Sequence, residues 1–216
     1  DSFARMFLAG MLNTIRVAFL SILTATLLGV IVGLMRLSSH PLIKFLGVAH
    51  VEFYRNIPLL IQLFAIYLVI TEFLPDSFDP FTIGAWLMIS KAGIQFAVPS
   101  HLLLSNVLAS VTALFVGWLV RRYYLRYITG LMASLLGLLA AVLTAVGVWL
   151  FCGCFFGWSQ PQAQGFMVVG GAGATPEFLT LWIGLTTFTS ASIAEIVRAG
   201  VLAVPKNQWK ASAALG

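Results

Sequence analysis

The chain has 216 residues, of which 60% are hydrophobic and only 9% charged, with a mean hydropathy of +1.00. Soluble domains carry about 25% charged residues, so the composition excludes a soluble globule and places the chain in a membrane. A net charge of +5 raises nucleic-acid binding, which is decided by where the basic residues lie. Cys152 and Cys154 form an isolated C-x-C inside an apolar run, and His40, His50 and His101 are far apart. No four ligands stand at metal-site spacing, so the expectation is no metal and two small buried thiols. The sequence starts at Asp1, and no basic region leads into a short apolar segment with a cleavage site. No signal peptide is visible, and the chain reads as a piece of something longer.

A membrane-spanning helix needs about 20 mainly apolar residues. An amphipathic lead-in, Phe3 to Ile15, is expected at the interface, followed by a first span from about Val17 to Met35. The second span runs from about Val51 to Leu74 and crowds its charges at the start. Pro75 to Ser100 is a connection with two Pro–Asp or Asp–Pro turn signals and a short apolar patch near Trp86. A third span, about Leu102 to Val120, ends on "RRYYLR", and a fourth covers about Ile128 to Phe151. Gly157 to Pro176 is Gly- and Pro-rich and reads as a loop. The fifth span is about Phe178 to Val197. The apolar runs lack the period-two alternation of barrel strands, and helices satisfy their own backbone in lipid. The fold class is therefore all-α: a polytopic helical membrane protein with about five spans.

The charges orient these spans. With the N-terminus outside, the inner segments hold Arg36, Lys44, Arg121, Arg122, Arg126, Arg198, Lys206 and Lys210. The outer segments hold Arg5 and Lys91 together with Asp1, Glu72, Asp76, Asp79 and Glu177. This positive-inside pattern predicts an N-out, C-in topology. It also removes the nucleic-acid reading, because the basic residues are topology signals dispersed over three loops.

Ionisable side chains inside spans are costly, about 2.5–3.5 kcal/mol each at the membrane centre. Glu52 and Arg55 open the second span, and Glu195 and Arg198 close the fifth. Spacing of i, i+3 puts each pair on one helical face, so each is expected to neutralise itself near the inner membrane face. Two roles stay open for these pairs: anchoring helix ends, where charges can snorkel, or lining an inner gate. Pro58 removes a helical hydrogen bond and kinks its helix, exposing carbonyls beside Asn56 and Gln62, which could line a cavity. Thr186, Thr187, Thr189, Ser190 and Ser192 form a polar stripe that either glues helices together or contributes to a midplane transport site. There is no G-x-x-x-x-G-K-[ST], H-E-x-x-H or G-x-S-x-G motif. Glu52 and Glu195 each have an Arg three residues on, which favours an ion pair over proton transfer. No catalytic residue is therefore assigned.

The final stretch, "SASIAEIVRAGVLAVPKNQWKASAALG", resembles the helix and following EAA loop of ATP-binding-cassette (ABC) importer permeases of the polar amino-acid uptake family. "GMLNTIRVAFLSILTATLLGVIVGLMRLS" and "VEFYRNIPLLIQLF" are similar to that family's first two core helices. The extra pair of spans and "GGAGATPEFLTLWIGL" look like its general L-amino-acid permease subgroup. The resemblance implies a type I importer fold in which 1–74 holds two core helices and 75–100 a periplasmic connection. In the same scheme 101–156 is an inserted hairpin, 157–176 a periplasmic loop, 177–204 a core helix and 205–216 the start of the coupling loop.

The resemblance further implies docking to an ATPase through Pro205, Gln208, Lys210, Ala211, Ser212 and Gly216. The expected partners are a second permease subunit, identical or not, two ATP-binding subunits that hold ATP and Mg, and a periplasmic amino-acid-binding protein. The expected location is the bacterial inner membrane, in contact with lipid. Since members continue past this loop with two more core helices, Gly216 reads as a truncation point. Lys210, Ala211 and Ser212 stand where the loop usually carries Glu-Ala-Ala, which inverts the charge offered to the ATPase, and Arg16 stands where the core helix is usually apolar. Two other classes remain beside the importer: a scaffold-like permease half assembling with a competent partner, and a secondary transporter driven by an ion gradient. The latter would want unpaired carboxylates within the spans.

Overall fold

The computed structural model describes residues 3–164, 167–205 and 207–208. Its helices are α1 (Phe3–Leu37), α2 (Pro41–Asn56), α3 (Leu59–Leu68), α4 (Leu102–Tyr124), α5 (Gly130–Phe156) and α6 (Pro176–Leu202). A π-helical turn, Val69–Phe73, extends α3. Short strands occupy the two connections: β1 (Phe81–Ile83), β2 (Leu87–Ser90), β3 (Gly93–Phe96) and β4 (Val98–Pro99) in the first, and β5 (Trp158–Ser159), β6 (Gln162–Gln164), β7 (Met167–Val169) and β8 (Ala172–Ala174) in the second. The chain divides into two compact units, residues 1–74 with 175–216, and residues 75–174.

In the first unit α1 packs mainly on α6, although more than a hundred residues separate them. The contact is made by a stripe at every fourth position of α1: Val17, Ser21, Ala25, Gly29 and Gly33 are all buried. A Cβ at Gly29 would lie 2.6 Å from Ile193 Cβ and 2.9 Å from the Ser190 carbonyl oxygen, so the two backbones touch there. In lipid, where apolar side chains gain little by leaving the solvent, such close approach of small residues is a main source of helix association. The interfacial lead-in expected at Phe3–Ile15 is not a separate element. Ile15, Arg16 and Val17 include no helix breaker, and α1 runs unbroken for 35 residues.

The second span expected at Val51–Leu74 is replaced by two helices. Pro58 forces its predecessor out of the helical region: Ile57 has φ −103° and ψ 128°. The chain turns through 104° between α2 and the Leu59–Phe73 helix. At 1.5 Å per residue neither arm reaches the roughly 30 Å of a hydrocarbon core. Among the described residues, four helices are long and apolar enough to cross a membrane, or five if the bent pair counts as one span.

In the second unit α4 and α5 form a helical hairpin. Ser105, Ala109, Ala113 and Gly117 are the buried face of α4, and Ala133 and Gly137 are buried on α5. A Cβ at Gly117 would meet the Gly137 carbonyl oxygen at 2.9 Å, and one at Gly137 would meet the Gly117 oxygen at 2.8 Å. The connections expected as loops hold a four-stranded antiparallel sheet in the order β1-β2-β3-β8, with Ile89 opposite Ile94 and Gln95 opposite Gly173. β4 pairs with β5, placing Pro99 opposite Trp158, and β6 pairs with β7. The Trp158 ring lies 4.9 Å from that of Trp86 and 5.3 Å from that of Trp149. The helical class thus describes the spans, and the connections add β structure to it.

A substitution separates the tight helix contact from open helix surface. Gly29→Ala is expected to cost about 1–3 kcal/mol through overpacking. Gly10→Ala, with nothing within 4 Å of its Cβ position, should be neutral or stabilising by up to about 1 kcal/mol. Thermal unfolding in detergent tests this, and equal midpoints for the two variants would contradict the packing described.

Candidate functional site

The polar side chains of α6 meet α1 and α2 in a ladder that ends in a charge cluster. Trp182 Nε1 donates to Thr24 Oγ1 at 3.1 Å, and Thr24 Oγ1 lies 2.7 Å from Thr186 Oγ1. Further along α6, His50 Nε2 of α2 is 2.9 Å from Ser190 Oγ, which itself donates to the Thr187 carbonyl at 2.7 Å. Val32, Val51, Ala191 and Ala194 pack into a buried apolar core, with Leu28 and Tyr54 against it. Immediately after this core comes Glu195. Its Oε1 is 2.7 Å from an Arg36 guanidinium nitrogen and 3.1 Å from one of Arg55.

The local sequence explains why these groups converge. Arg36 lies in the last turn of α1 and Arg55 in the last turn of α2, where exposed carbonyls favour positive charge. Glu195 then supplies one carboxylate to two cations from separate helices. The Arg36 side chain is 9% exposed, against 54% for Arg55, so Arg36 is the more enclosed partner. The expected self-pairing within each helix is therefore corrected. Among the described residues no ion pair joins Glu52 to Arg55 or Glu195 to Arg198. An i, i+3 match is the weaker geometry here because two helix ends present better-placed guanidiniums to Glu195. The exposed Glu52 instead accepts from Asn56 Nδ2 at 3.3 Å.

Gln62 has a definite place in the break between α2 and α3. Pro58 has no N–H to give to the carbonyl four residues back, that of Tyr54. Gln62 Nε2 supplies the missing donor, bonding the Tyr54 oxygen at 2.9 Å and the Ile57 oxygen at 2.7 Å. The side chain is buried, at 5% exposure, so it closes the break where a cavity-lining amide was expected. Of the polar stripe on α6, Thr186 and Ser190 reach across to other helices, Thr187 back-bonds to the Ile183 carbonyl at 2.9 Å, and Thr189 lies exposed. Arg198 is half-buried one turn beyond Glu195. Pro205 and Gln208 are exposed, with the Gln208 N–H donating to the Pro205 carbonyl at 3.0 Å. Lys210, Ala211, Ser212 and Gly216 lie outside the described residues.

Sequence reasoning missed Arg36, His50, Thr24 and Trp182 as members of this site. Arg36 had been absorbed by the positive-inside pattern, and the other three carry no local spacing signal, because their partners lie 140 or more residues away.

Such an assembly defines a class: a polytopic helical membrane protein whose core helices are tied by small-residue packing, hydroxyl contacts and one shared carboxylate. No family model matches the chain, and no solved structure does. Curated relatives do, over its whole length. The chain is 32% identical to YhdX of Escherichia coli K12, a putative amino-acid ABC transporter permease protein, across 56% of that protein. It is 32% identical to AapQ of Rhizobium johnstonii, a general L-amino acid transport system permease protein, across 56% of it. It is 30% identical to BztB of Rhodobacter capsulatus, a glutamate/glutamine/aspartate/asparagine transport system permease protein, across 59% of it. The chain thus spans a little over half the length of these relatives. Along its whole length the chain is similar to amino-acid ABC transporter permeases.

The unequal enclosure of the two arginines gives an ordered expectation. Arg36→Gln should lower stability by about 1–3 kcal/mol, since it leaves a half-enclosed carboxylate short of its best donor. Arg55→Gln should cost under about 1 kcal/mol, as exposed pairs do. Thermal unfolding of both variants in detergent checks the order, and a larger effect at Arg55 would reverse the assignment of the main partner.

Proposed function

We propose that the chain is the membrane-embedded part of a permease subunit in an ATP-driven importer of polar L-amino acids. The observation that carries this reading is the likeness, over the whole of this chain, to a little over half of YhdX, AapQ and BztB, each named as a permease protein of amino-acid transport. The protein pairs with a second permease subunit, two ATPases that bind ATP and Mg, and a periplasmic amino-acid-binding protein, in the bacterial inner membrane with its N-terminus outside. It performs no hydrolysis itself. The ATPase docks on the segment from Pro205 to Gly216, and the two extra helices of 101–156 are the hairpin insertion of the general L-amino-acid subgroup.

The geometry supports a route for coupling. Only ten residues separate Glu195 from Pro205, and α6 runs as an unbroken helix through most of that distance. A push on the docking segment therefore reaches the Arg36–Glu195–Arg55 junction along a rigid rod, and the junction passes it to α1 and α2. In this scheme Glu52, Arg55, Asn56, Pro58, Gln62, Thr187, Thr189, Ser190, Glu195 and Arg198 belong to the helices that move about the pathway. Gln62 and Ser190 act by holding backbone and helices together. Lys210, in place of the usual acidic residue, favours one second reading, a scaffold half beside an active partner permease.

Uptake of labelled polar amino acids into proteoliposomes tests the proposal, using the full-length protein with its partner permease, ATPase and binding protein. Uptake should require ATP and should fall at least tenfold when residues 210–216 are replaced by a Gly/Ser linker. ATP-dependent uptake indifferent to the linker would support the scaffold reading. Assembled complexes that transport no amino acid would remove the substrate class.

A further inference from the structure

We propose that the turn between α4 and α5 is a binding site for the headgroup of an anionic phospholipid. Three arginines gather there, Arg121 and Arg122 in the last turn of α4 and Arg126 in the link to α5. All three are exposed, and none pairs with a carboxylate among the described residues. The imbalance is built into the sequence: between Asp79 and Glu177 there is no acidic residue at all. The second unit's own carboxylates, Asp76 and Asp79, stand at its start, more than forty positions before Arg121, and Asp76 is already 2.9 Å from Lys91. Three positive charges at one end of a hairpin thus have no counter-charge of their own.

Position in the bilayer selects the partner. From Leu102 to Arg121 is 19 residues, about 29 Å at helical rise, which matches one hydrocarbon thickness. The guanidiniums therefore sit at phosphate depth, on the side that the charge pattern makes the inner face. Aromatic rings interleave with them as they do in membrane interfacial belts. The Arg122 guanidinium lies 5.1 Å from the Trp118 ring centre, and Tyr123 is 5.2 Å from Tyr124 and 5.5 Å from Tyr127. A shallow, open pocket of about 600 Å³ is lined by Arg126, Tyr127, Ile128, Thr129 and Met132. Its lining combines a cation and hydroxyls suited to a phosphate with Ile128 and Met132, suited to the start of an acyl chain. Guanidinium groups bind phosphate oxygens by paired, charge-assisted hydrogen bonds, and basic clusters next to spans are drawn to anionic lipid. An acidic protein segment could meet the charges but would leave the neighbouring aromatics and the apolar lining of the pocket without a purpose.

The test uses the full-length protein in detergent, stripped of lipid and offered phosphatidylglycerol, phosphatidylcholine or inorganic phosphate. Native mass spectrometry reads retained lipid, and thermal unfolding reads its effect. Phosphatidylglycerol should be retained roughly tenfold or more above phosphatidylcholine. The R121Q/R126Q variant should lose that preference, R121K/R126K should keep most of it, and circular dichroism should report the same helix content for all three proteins. Undiminished phosphatidylglycerol retention by R121Q/R126Q would overturn the proposal. So would stabilisation by inorganic phosphate equal to that by lipid, which would mark a site for free anions. Release of a bound acidic protein from the Gln variant, with lipid retention unchanged, would assign the arginines to a protein partner instead.

Discussion

A proline in an apolar helix leaves a carbonyl without its donor, and the way this chain answers that deficit sets the geometry of its core. Pro58 cannot serve the Tyr54 oxygen, and the bend it imposes also opens the Ile57 oxygen. One amide, that of Gln62, takes both at 2.9 and 2.7 Å. An unpaired buried carbonyl costs about 1–3 kcal/mol, so a break with two of them would be difficult to hold at a fixed angle. With Gln62 in place the 104° turn becomes a defined joint. The orientation of α2 follows from it, bringing His50 to Ser190 and Arg55 to Glu195.

The spans were legible because composition and length alone identify an apolar helix: those expected near 102–120 and 178–197 lie within helices of the structure, and that near 128–151 falls in α5 from Gly130 onward. The kink at Pro58 was legible as well, since the missing N–H is a property of one residue. Its size was not, because the angle depends on Ile57 adopting an extended backbone and on Gln62 reaching back. The charge junction was misread for a related reason. Spacing along one helix is visible in a sequence, so Glu195 was matched to Arg198, whereas Arg36 lies 159 positions away and only folding brings it to 2.7 Å. The strands of the connections escaped notice since each has only two to four residues, too few to show alternation. The family resemblance came from motifs at both ends of the chain, and relatives similar over the whole of this chain agree with it.

The two helix pairs illustrate different solutions to association in lipid. α4 and α5 are neighbours in sequence, joined by a short turn, and are held by glycine and alanine packing with backbone oxygens in close reach. The Ser105 hydroxyl is fully buried there without a hydrogen-bond partner among the described residues. A hairpin of this kind has its register limited by the turn. α1 and α6 have no such tether within their unit, and small-residue packing by itself tolerates sliding by one turn, because Ser21, Ala25, Gly29 and Gly33 repeat at the same interval.

The polar ladder removes that ambiguity. A one-turn slip of α6 along α1 would still place Ile193 against a small residue of α1, Ala25 or Gly33 in place of Gly29, but it would separate Thr24 from Thr186 and Trp182 and move Glu195 past Arg36. Each interhelical hydrogen bond in a membrane contributes only about 0.6 kcal/mol on average, so the ladder adds modestly to overall stability. Its stronger effect is on the difference between registers, since the slipped state loses several contacts at once and leaves a carboxylate beside the wrong groups. The same arithmetic bears on motion. A junction worth a few contacts is firm enough to transmit a displacement from α6 to α1 and α2. It is also weak enough to rearrange, with Arg55, the exposed arginine, released at lower cost than Arg36.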